Sequence, residues 1–450
     1  MAERKFGKCL VIGAGVSGQW AAELLLDRGA EVTICDQKDE ANLAEALERF
    51  KGRPVEWVLG TRTDEAFKDM ELVVLSPGIP WSFPGLVQAA KKVSVIGEME
   101  LAASMIQVPL VAITGSNGKT TTTGLVGHIC RKNKIPVFVG GNIGEPLSRF
   151  VLSRQKVQAA VVEVSSYQLE TVNIFHACSA AILNVCSDHL DRYSDMAEYF
   201  RAKTRILMNQ TIGDLAVMNE DDLLLARKNT RAIRFGFSRK KRQHHGAWVH
   251  KDEILVVKQG REVAGRAWAD FKLEGIHNQE NVMAAVGLVL GLGLNPEKAL
   301  ESALDFIPQK HRLELVGEFS DVKYYNDSKG TNVGAVAMAL ASFKPPVVLI
   351  VGGQGKGQDF RLLYKSVHDK VKQLVLIGED RDKISLALAG AAPISIADSM
   401  AEAVRQARAA APRGSIVLLS PACASFDMFR DYKHRGETFV REVRRQTRAA

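Results

Sequence analysis

The residues with the clearest chemical meaning lie in one stretch, residues 109–123, which read PLVAITGSNGKTTTT. Apolar residues typical of a buried strand run into a glycine-bounded turn, and Lys119 and Thr120 follow at once, before a predicted helix over 121–133. In such a unit the backbone N–H groups and the helix N-terminus face an anion. The lysine adds positive charge, and the threonine hydroxyl reaches Mg²⁺. The stretch therefore predicts a site for the phosphates of ATP.

The spacing of this loop differs from the general phosphate-loop pattern, which has four residues between its first glycine and the Gly-Lys pair. Only two residues separate Gly115 from Gly118 and Lys119. An ordinary glycine turn is the alternative interpretation. The strand before the loop and the helix after it favour phosphate binding.

Two carboxyl-end loops in the same segment carry groups that suit a metal ion. Glu163 ends a predicted buried strand over 159–164, and His189 follows the next one, over 180–184. Ligands in open α/β sheets gather at this edge, and Mg²⁺ takes carboxylate and phosphate oxygens. A capping carboxylate and a structural histidine are the alternatives. Lys203 lies among arginines on a predicted helix, which is typical of a solvated face.

Further candidates come later in the chain. Asn278 and Asn281 lie one turn apart at the start of a predicted helix over 277–291, so they share a face that suits a purine edge or ribose, or they cap the helix. Three polar or glycine-rich loops follow predicted strands over 322–325, 347–351 and 415–419. These loops suit an anionic small molecule, and ordinary polar loops are the alternative.

The N-terminal glycine motif leaves two functions open. A predicted strand over Lys8–Ile12 leads into Gly13–Gly18, a G-x-G-x-x-G turn, and Asp36 stands 18 residues past the last glycine. This is the fingerprint of a dinucleotide site and, alone, predicts an NAD-dependent oxidoreductase. The same turn suits any diphosphate at a helix N-terminus, including that of a UDP-sugar. The phosphate loop downstream argues against a pure dehydrogenase.

Alternating strands and helices predict an α/β protein with doubly wound parallel sheets. At 450 residues the chain is long enough for about three domains. Short β-type segments between 232 and 268 interrupt the alternation. We expect a Rossmann-like domain over 1–105, a central phosphate-loop ATPase-like domain over 106–310 and a Rossmann-like C-terminal domain over 311–450.

Composition excludes several classes of protein. No apolar run approaches the roughly 18 residues that span a bilayer. The six cysteines are scattered without a C-x-x-C pair, which indicates a reducing compartment, and we expect the cytoplasm. The net charge of +8 suits anionic substrates. The basic run over 239–242 has no interleaved aromatic residues, so we interpret it as a solvated loop and expect no nucleic acid.

Taken together, the motifs resemble the Mur ligase family of peptidoglycan synthesis over essentially the whole chain. The matching motifs, in order, are GAGVSG, SPGI, GSNGKTT, GNIG, EVSSYQLE, NVCSDHLDRY, FRAKTR, HNxxN, HR, NDSKGTN, GGQGKGQDF and LSPACASFD. The family's phosphate loop has the same short spacing. NDSKGTN together with SPACASFD is specific to the members that add D-glutamate. In these members the first domain holds UDP, not NAD.

The resemblance implies an ATP-dependent amide ligation. ATP would phosphorylate the terminal carboxylate of UDP-N-acetylmuramoyl-L-alanine, and the amine of D-glutamate would then displace phosphate from the acyl phosphate. Phosphoryl transfer requires positioning and charge neutralisation, which agrees with the residue types present. The resemblance further implies two Mg²⁺ sites, a Lys203 that is carbamylated by CO₂, and a third domain that swings toward the second. We expect a monomer.

Site residues carry over from the matching motifs. The implied catalytic residues are Lys119, Glu163, His189 and Lys203. The implied metal ligands are Thr120, Glu163, His189 and carbamylated Lys203. ATP would contact Gly115, Asn117, Gly118, Lys119, Thr120, Thr121, Asn278, Asn281, Arg312 and Asp327. The UDP substrate would contact Gly15, Val16, Ser17, Asp36, Gln37, Ser76, Gly78, Asn142, Ser165 and His189. D-Glutamate would contact Lys329, Thr331, Lys356, Ser425 and Phe426.

Three rival functions stay open at this stage. The first is another family member that adds a different amino acid or acts on folate, against which the NDSKGTN loop argues. The second is a nicotinamide oxidoreductase, which NADH binding would reveal. The third is a nucleotide-dependent binding protein without catalysis, which substrate-dependent phosphate release would exclude.

Overall fold

The computed structural model of the chain describes residues 6–60, 65–186, 188, 192–273, 275–344 and 346–448. The strands within these residues are β1 (Lys8–Ile12), β2 (Glu31–Asp36), β3 (Val55–Leu59), β4 (Leu72–Leu75), β5 (Ser94–Gly97), β6 (Leu110–Thr114), β7 (Val137–Gly141), β8 (Ala159–Glu163), β9 (Ser179–Ile182), β10 (Leu215–Asn219), β11 (Ile233–Ser238), β12 (Gly246–His250), β13 (Glu253–Lys258), β14 (Arg261–Ala267), β15 (Glu314–Phe319), β16 (Val322–Asn326), β17 (Val347–Gly352), β18 (Val371–Ile377), β19 (Ile394–Ile396) and β20 (Ile416–Leu419).

The α-helices of the same part of the chain are α1 (Val16–Asp27), α2 (Ala44–Arg49), α3 (Leu86–Ala89), α4 (Glu98–Ala103), α5 (Lys119–Lys132), α6 (Leu147–Ser153), α7 (Ser166–Leu169), α8 (Met196–Thr204), α9 (Leu223–Ala226), α10 (Ile276–Leu290), α11 (Pro296–Ala303), α12 (Val333–Ala341), α13 (Tyr364–Lys370), α14 (Arg381–Ala387), α15 (Met400–Ala410) and α16 (Tyr432–Arg448). Among these described helices, none combines the length and the apolar character that crossing a bilayer requires.

The first sheet is parallel throughout, with strand order β3-β2-β1-β4-β5. Strands β1 and β4 are apolar runs whose residues are almost all buried, as expected when helices cover both faces of a parallel sheet. The predicted bounds of β1, Lys8–Ile12, are confirmed. The glycine turn lies at the carboxyl end of β1, where α1 begins at Val16.

The central sheet has nine described strands in the order β14-β13-β12-β11-β10-β9-β6-β8-β7. Strand β6 is fully buried and lies between β9 and β8, so the phosphate loop after it leaves the middle of the parallel part. The segment predicted to be short β-type structure forms β11 to β14. Strands β12, β13 and β14 pair antiparallel at one edge.

The third sheet has the order β15-β16-β20-β17-β18-β19 and is parallel apart from the edge strand β15. The three polar loops predicted from the sequence follow β16, β20 and β17, which are neighbours. These loops therefore emerge side by side at one edge of the sheet. The predicted architecture of three α/β units is confirmed.

The hydrophobic cores join the first two sheets and leave the third sheet separate. One continuous apolar cluster runs from the first sheet through α1, α4 and α6 to one face of the central sheet. A second cluster fills the other face of the central sheet, beneath α5 and α10. The third sheet has its own clusters on its two faces. The first two units are thus joined through a shared core, whereas the third is built around separate cores.

Candidate active site

The phosphate loop is held in place by a neighbouring loop. Helix α5 begins at Lys119, two residues earlier than predicted, directly after Gly118 with φ 84°. A Cβ at Gly118 would lie 2.4 Å from Asn281 Oδ1, so only glycine fits both the backbone angle and the space. The Asn117 N–H donates to Asn184 Oδ1 at 2.8 Å, and Asn184 Nδ2 donates to the Asn117 carbonyl at 3.2 Å. Strand β9 ends before this asparagine, which lies in the loop that follows it.

A cavity of about 510 Å³ lies beside the loop, between the central and third sheets. Eight residues implied from the motifs line it, namely Asn117, Gly118, Thr121, Asn278, Asn281, Arg312, Asp327 and Lys329. Its other lining residues include Asn184, Cys186, Asn219, Asp221, Arg239, Lys240, His277 and Glu280. The volume and the mixed polar lining suit a nucleotide.

The two asparagines on α10 pack against the phosphate loop. Asn281 Nδ2 donates to Asn278 Oδ1 at 2.8 Å, and Thr122 Oγ1 donates to Asn281 Oδ1 at 3.2 Å. Both asparagines are buried, and the N-cap position is Gly275, so the capping alternative is wrong. The shared face predicted from their spacing is present. It joins α10 to α5 at one wall of the cavity.

Two oxygen-bearing side chains that the sequence analysis gave as candidate metal ligands, Thr120 and Glu163, lie in contact with each other. Thr120 Oγ1 donates to Glu163 Oε2 at 2.8 Å, and Asn142 Nδ2 donates to Glu163 Oε1 at 3.0 Å. Glu163 is buried at the end of β8. In the described part of the chain, no three His, Cys, Asp or Glu residues cluster as a metal site. A hydroxyl and one carboxylate fit Mg²⁺, which binds a few protein oxygens and takes the rest from phosphates and water.

Lys119 and Lys203 converge on one carbonyl oxygen. Lys119 Nζ donates to the carbonyls of Gly115 and Ser116 at 2.8 and 3.0 Å, and Lys203 Nζ donates to Gly115 at 2.8 Å. Lys203 is 1% exposed, so the expectation of a solvated face is wrong. Burial, and then the charge of Lys119, holds the pKa of Lys203 well below its usual range. Burial also lowers the pKa of Lys119.

The third domain brings charged groups to the same place. Lys329 Nζ donates to Thr120 Oγ1 at 3.4 Å and lies 4.9 Å from the Tyr432 ring centroid. Burial, reinforced by Arg312, lowers the pKa of Lys329 to about 8. Burial raises the pKa of Asp327 to about 7, while Ser420 Oγ donates to its carboxylate at 2.7 Å. These groups face the phosphate loop from across the cavity.

His189, a predicted catalytic residue and metal ligand, lies outside the described residues. Its neighbour Asp188 is described and buried. The charge of Asp188 raises the pKa values of Lys119 and Lys203, against the effect of their burial. The loop after β9 therefore supplies a carboxylate beside the two lysines, a role that was not predicted from the sequence.

The residues implied for the UDP substrate gather around the first glycine turn. Ser76 Oγ donates to the Gly13 carbonyl at 2.8 Å. Gly15, Val16 and Gly78 are exposed, and Ser17 is half-buried. Asp36 accepts from the backbone N–H of Ala14 at 2.8 Å, so its carboxylate supports the turn. Gln37 follows it on the surface.

Asn142 and Ser165 lie in the central domain, in loops after β7 and β8. Asn142 is exposed apart from its bond to Glu163. Ser165 is the N-cap of α7, where it forms a capping box with Gln168. The two therefore lie on the Glu163 side of the site, and the segment that follows Ser165 lines a small pocket together with Ser76 and Ile79.

The residues implied for D-glutamate lie on the adjacent loops of the third sheet. Lys329 and Thr331 follow β16, Lys356 follows β17, and Ser425 and Phe426 follow β20. The last two loops are joined by an antiparallel bridge between Gln354 and Ala424. Ser425 is buried, whereas Phe426 is 70% exposed.

A fully buried arginine that the sequence analysis missed holds two of these loops together. Arg435 donates through Nε to Ser328 Oγ at 3.0 Å and through its terminal nitrogens to the carbonyls of Ser328, Cys423 and Ala424. It lies on α16, eight residues beyond the last quoted motif, LSPACASFD. An arginine in a basic C-terminal helix gives no local signal of burial, so sequence alone could not have singled it out.

The basic run over 239–242 is only partly a solvated loop. Lys240, Lys241 and Arg242 are exposed, but Arg239 is half-buried, and its Nε donates to Gln279 Oε1 at 3.1 Å. Arg239 and Lys240 both line the cavity. The expectation of a solvated loop is therefore wrong for Arg239, and both residues bring positive charge to the cavity.

Comparison with known proteins agrees with this geometry. Models described as Mur ligase MurD-like N-terminal domain, Mur ligase middle domain and Mur ligase glutamate ligase domain match residues 7–97, 113–289 and 311–423. The chain is 42% identical to the UDP-N-acetylmuramoylalanine–D-glutamate ligase of Trichlorobacter lovleyi, over 98% of this chain and 100% of the relative. It is 43% identical to the enzyme of the same name from Geotalea daltonii, over 98% of each chain.

A solved structure shares the fold at low sequence identity. It is that of a pseudomurein peptide ligase type C from Methanothermus fervidus, with a TM-score of 0.63, 19% identity, and coverage of 98% of this chain and 99% of that one. The sequence matches extend through all three sheets and through the phosphate loop. The chain belongs to the Mur ligase family, whose members are ATP-dependent, amide-bond-forming ligases that use Mg²⁺.

Proposed function

We propose that this protein joins D-glutamate to UDP-N-acetylmuramoyl-L-alanine with consumption of ATP, as a ligase of peptidoglycan synthesis. The single observation that carries the proposal is the meeting of three sets of groups. The phosphate loop, the Thr120–Glu163 pair and Lys329 of the third domain adjoin one another beside a nucleotide-sized cavity. The relatives named for this reaction match over nearly the whole chain.

We infer the following chemistry at this site. A carboxylate oxygen of the substrate attacks the γ-phosphorus of ATP, and ADP leaves. The amine of D-glutamate then attacks the carbonyl carbon of the acyl phosphate, and phosphate leaves with the transferred oxygen and the bonding electron pair. Lys119 and Lys329 would face the anionic oxygens of the transferring group, which lowers the cost of concentrating negative charge there.

Mg²⁺ would be held by Thr120 and Glu163, and when bound it neutralises phosphate charge. We propose two such ions, with carbamylated Lys203 and His189 completing the second set of ligands. The buried Lys203 supports this assignment, because a lowered pKa favours the neutral amine, and the neutral amine is the form that attacks CO₂. The reaction forms an N–C bond and releases a proton, and it converts a buried amine into an anionic oxygen ligand.

The carbamate has its own test. Protein equilibrated with labelled bicarbonate should show one labelled carbamate carbon by NMR, and Lys203→Arg should lack this signal. Absence of the signal from the unaltered protein would remove Lys203 from the metal site and leave the ligation untouched.

We further propose three assignments of substrate contacts. ATP would occupy the cavity, with Asn278 and Asn281 at one wall and Asp327 at the ribose. UDP would lie on the turn between Gly13 and Gly18, near Ser76, Gly78 and Asp36, with Asn142 toward the sugar. D-Glutamate would lie between the loops of the third sheet, which carry the lysines Lys329 and Lys356 for its two carboxylates.

The remaining proposals concern organisation. We propose domains over 1–105, 106–310 and 311–450, supported by one sheet in each range. We propose a monomer, which light scattering would test. We propose that the reaction takes place in the cytoplasm, where ATP is supplied and where the six cysteines would stay reduced, as they are in this structure.

Co-substrate dependence tests the proposed function. Phosphate release from Mg²⁺-ATP should require both UDP-N-acetylmuramoyl-L-alanine and D-glutamate, and L-glutamate should not replace D-glutamate. Release that occurs equally without either co-substrate would show a simple ATPase. Fluorescence quenching by NADH at micromolar concentrations would instead favour the oxidoreductase.

A further inference from the structure

One side chain of the third domain bonds directly to the phosphate loop. Asn332 Nδ2 donates to Asn117 Oδ1 at 3.1 Å and to Asp188 Oδ2 at 2.9 Å. Its Oδ1 accepts from the Ala335 N–H at 2.8 Å, as the N-cap of α12. Asn332 is only 4% exposed. A side-chain amide has two N–H donors, and both are committed to the central domain.

The two acceptors matter to the site. Asn117 is the loop residue whose main chain is fixed by Asn184, and its own amide donates to Cys186 Sγ at 3.3 Å. Asp188 is the carboxylate beside Lys119 and Lys203. Asn332 thus contacts both Asn117, whose backbone is anchored, and Asp188, whose charge faces the two lysines.

The residues around this contact are closely packed. A Cβ at Gly334 would lie 2.8 Å from Cys186 Sγ and 3.2 Å from Asn117 Nδ2, so the first turn of α12 rests directly on the loop. Among the described residues near the cavity, two other side-chain hydrogen bonds join the two domains, and each is longer than either bond of Asn332. They are Lys329 to Thr120 at 3.4 Å and His277 to Ser342 at 3.2 Å.

We propose that Asn332 is a positioning residue that couples closure of the third domain to the conformation of the phosphate loop. It touches neither nucleotide nor amino acid in this role, and it acts through Asn117 and Asp188. When the third domain is docked, Asn117 and Asp188 both accept hydrogen bonds from Asn332. When the third domain moves away, both residues lose these hydrogen bonds. By linkage, a nucleotide that orders the loop must favour the docked domain, and docking must favour the nucleotide. The proposal rests on the proposed function for its meaning in catalysis.

The variant Asn332→Asp separates this role from folding. Aspartate caps a helix as well as asparagine does, so the bond from Ala335 is kept. The Nδ2 donor becomes an oxygen that faces Asn117 Oδ1 and the Asp188 carboxylate. The matched control is Asn295→Asp, the same change at the N-cap of α11, where Oδ1 accepts from Glu297 at 2.9 Å.

A second pair of variants isolates the contact. Asp188→Asn alone removes a charge from beside the lysines, so its own cost is measured separately. In the double variant D188N/N332D the amide and the carboxylate have exchanged places, and a donor again faces an acceptor. A cycle of the four proteins gives the coupling between the two positions.

The readouts are kcat/KM for D-glutamate at saturating nucleotide and the contraction seen by small-angle scattering with Mg²⁺ and a non-hydrolysable ATP analogue. We expect N332D to lose roughly tenfold to a hundredfold in kcat/KM, the range of a hydrogen bond to a charged group, and to contract less than the unaltered protein. N295D should behave like the unaltered protein. The loss should be smaller in the D188N background, where the contact with position 188 is restored and only the bond to Asn117 stays broken.

Two results would overturn the proposal. One is contraction and kcat/KM in N332D equal to those of N295D. The other is a loss of the same size with and without D188N, because the effect would then not pass through that contact. The scattering experiment needs no turnover. The coupling can therefore fail in a protein that ligates D-glutamate, and it can stand in one that does not.

Discussion

Single residues in this site are defined by distant parts of the chain. Lys203 sits among arginines on α8, and its local sequence indicates a solvated face. It is buried because the phosphate loop and the Tyr199 ring, 4.5 Å from its Nζ, close over it. A charged lysine at this position is destabilised by burial and by the charge of Lys119, which does not apply to a lysine on the surface. Such costs are typical of functional sites, where pKa values are displaced by burial and by placed charges.

The same reasoning predicts a stability change at Asp327. Its pKa is about 7 in the folded protein against 3.8 for an ordinary aspartate. A raised pKa of an acid means that the folded state holds its proton longer. The free energy of unfolding should therefore fall as pH rises from about 4 to about 7 and stay lower above that.

Asp327→Asn removes this titration. We expect the variant to be more stable than the unaltered protein at pH 8, by on the order of 1–3 kcal/mol, and to bind nucleotide more weakly. Urea denaturation at a series of pH values measures the first effect. Parallel pH profiles for the two proteins would contradict the assignment of this cost to Asp327.

At the scale of elements, the site depends on how α5 and α10 meet at the phosphate loop. Gly118 brings the loop against Asn281, and Asn281 continues the contact to Thr122 and Asn278. A side chain at Gly118 would displace this chain of bonds as well as strain the backbone.

Gly118→Ala should therefore lower kcat/KM for ATP by roughly a hundredfold, because small displacements of positioning groups have effects of that size. The control is Gly29→Ala, which has a similar φ of 76° and no atom within 4 Å of the added Cβ. The control should lose only about 1 kcal/mol of stability and keep its activity. Equal activity in the two variants would show that the contact with Asn281 is unimportant.

Strands were predicted well from the sequence, and their contacts were not. Buried parallel strands such as β1 and β4 are continuous apolar runs, so their bounds follow from local pattern. Glu163 and Asn281 were also predictable, one from its strand end and the other from its spacing. Arg435, Asn332 and Asp188 were not, because their roles arise from elements hundreds or tens of residues apart. The hydrophobic periodicity of a sequence does not indicate which helix packs against which loop.

At the scale of the molecule, the first two domains form one unit. Glu98 Oε1 accepts from the Ser148 N–H at 2.7 Å, and Glu100 accepts from the backbone of Ile174 and from Phe175 at 3.0 Å. Both carboxylates are buried on α4, the helix between the first two sheets. The shared core continues through this helix. The third domain has separate cores, and we propose that it is the part that moves relative to the other two.

Glu100→Ala tests this division. Loss of the carboxylate leaves the buried N–H of Phe175 without an acceptor and removes the acceptor of Ile174, so the free energy of unfolding should fall by about 1–3 kcal/mol. Hydrogen exchange should quicken at Ile174 and Phe175. The exposed Glu45→Ala on α2 should change stability by no more than about 0.5 kcal/mol. Unchanged exchange at these two amides would show that α4 does not hold the first two domains together.

The most direct test of the central claim follows the transferred oxygen. UDP-N-acetylmuramoyl-L-alanine whose terminal carboxylate carries a heavy-oxygen label should be incubated with ATP, Mg²⁺ and D-glutamate. We predict that the released phosphate contains one labelled oxygen per amide bond formed, and that Lys119→Ala forms neither product. Amide formation with unlabelled phosphate, or no amide at all from the unaltered protein, would contradict ligation through an acyl phosphate.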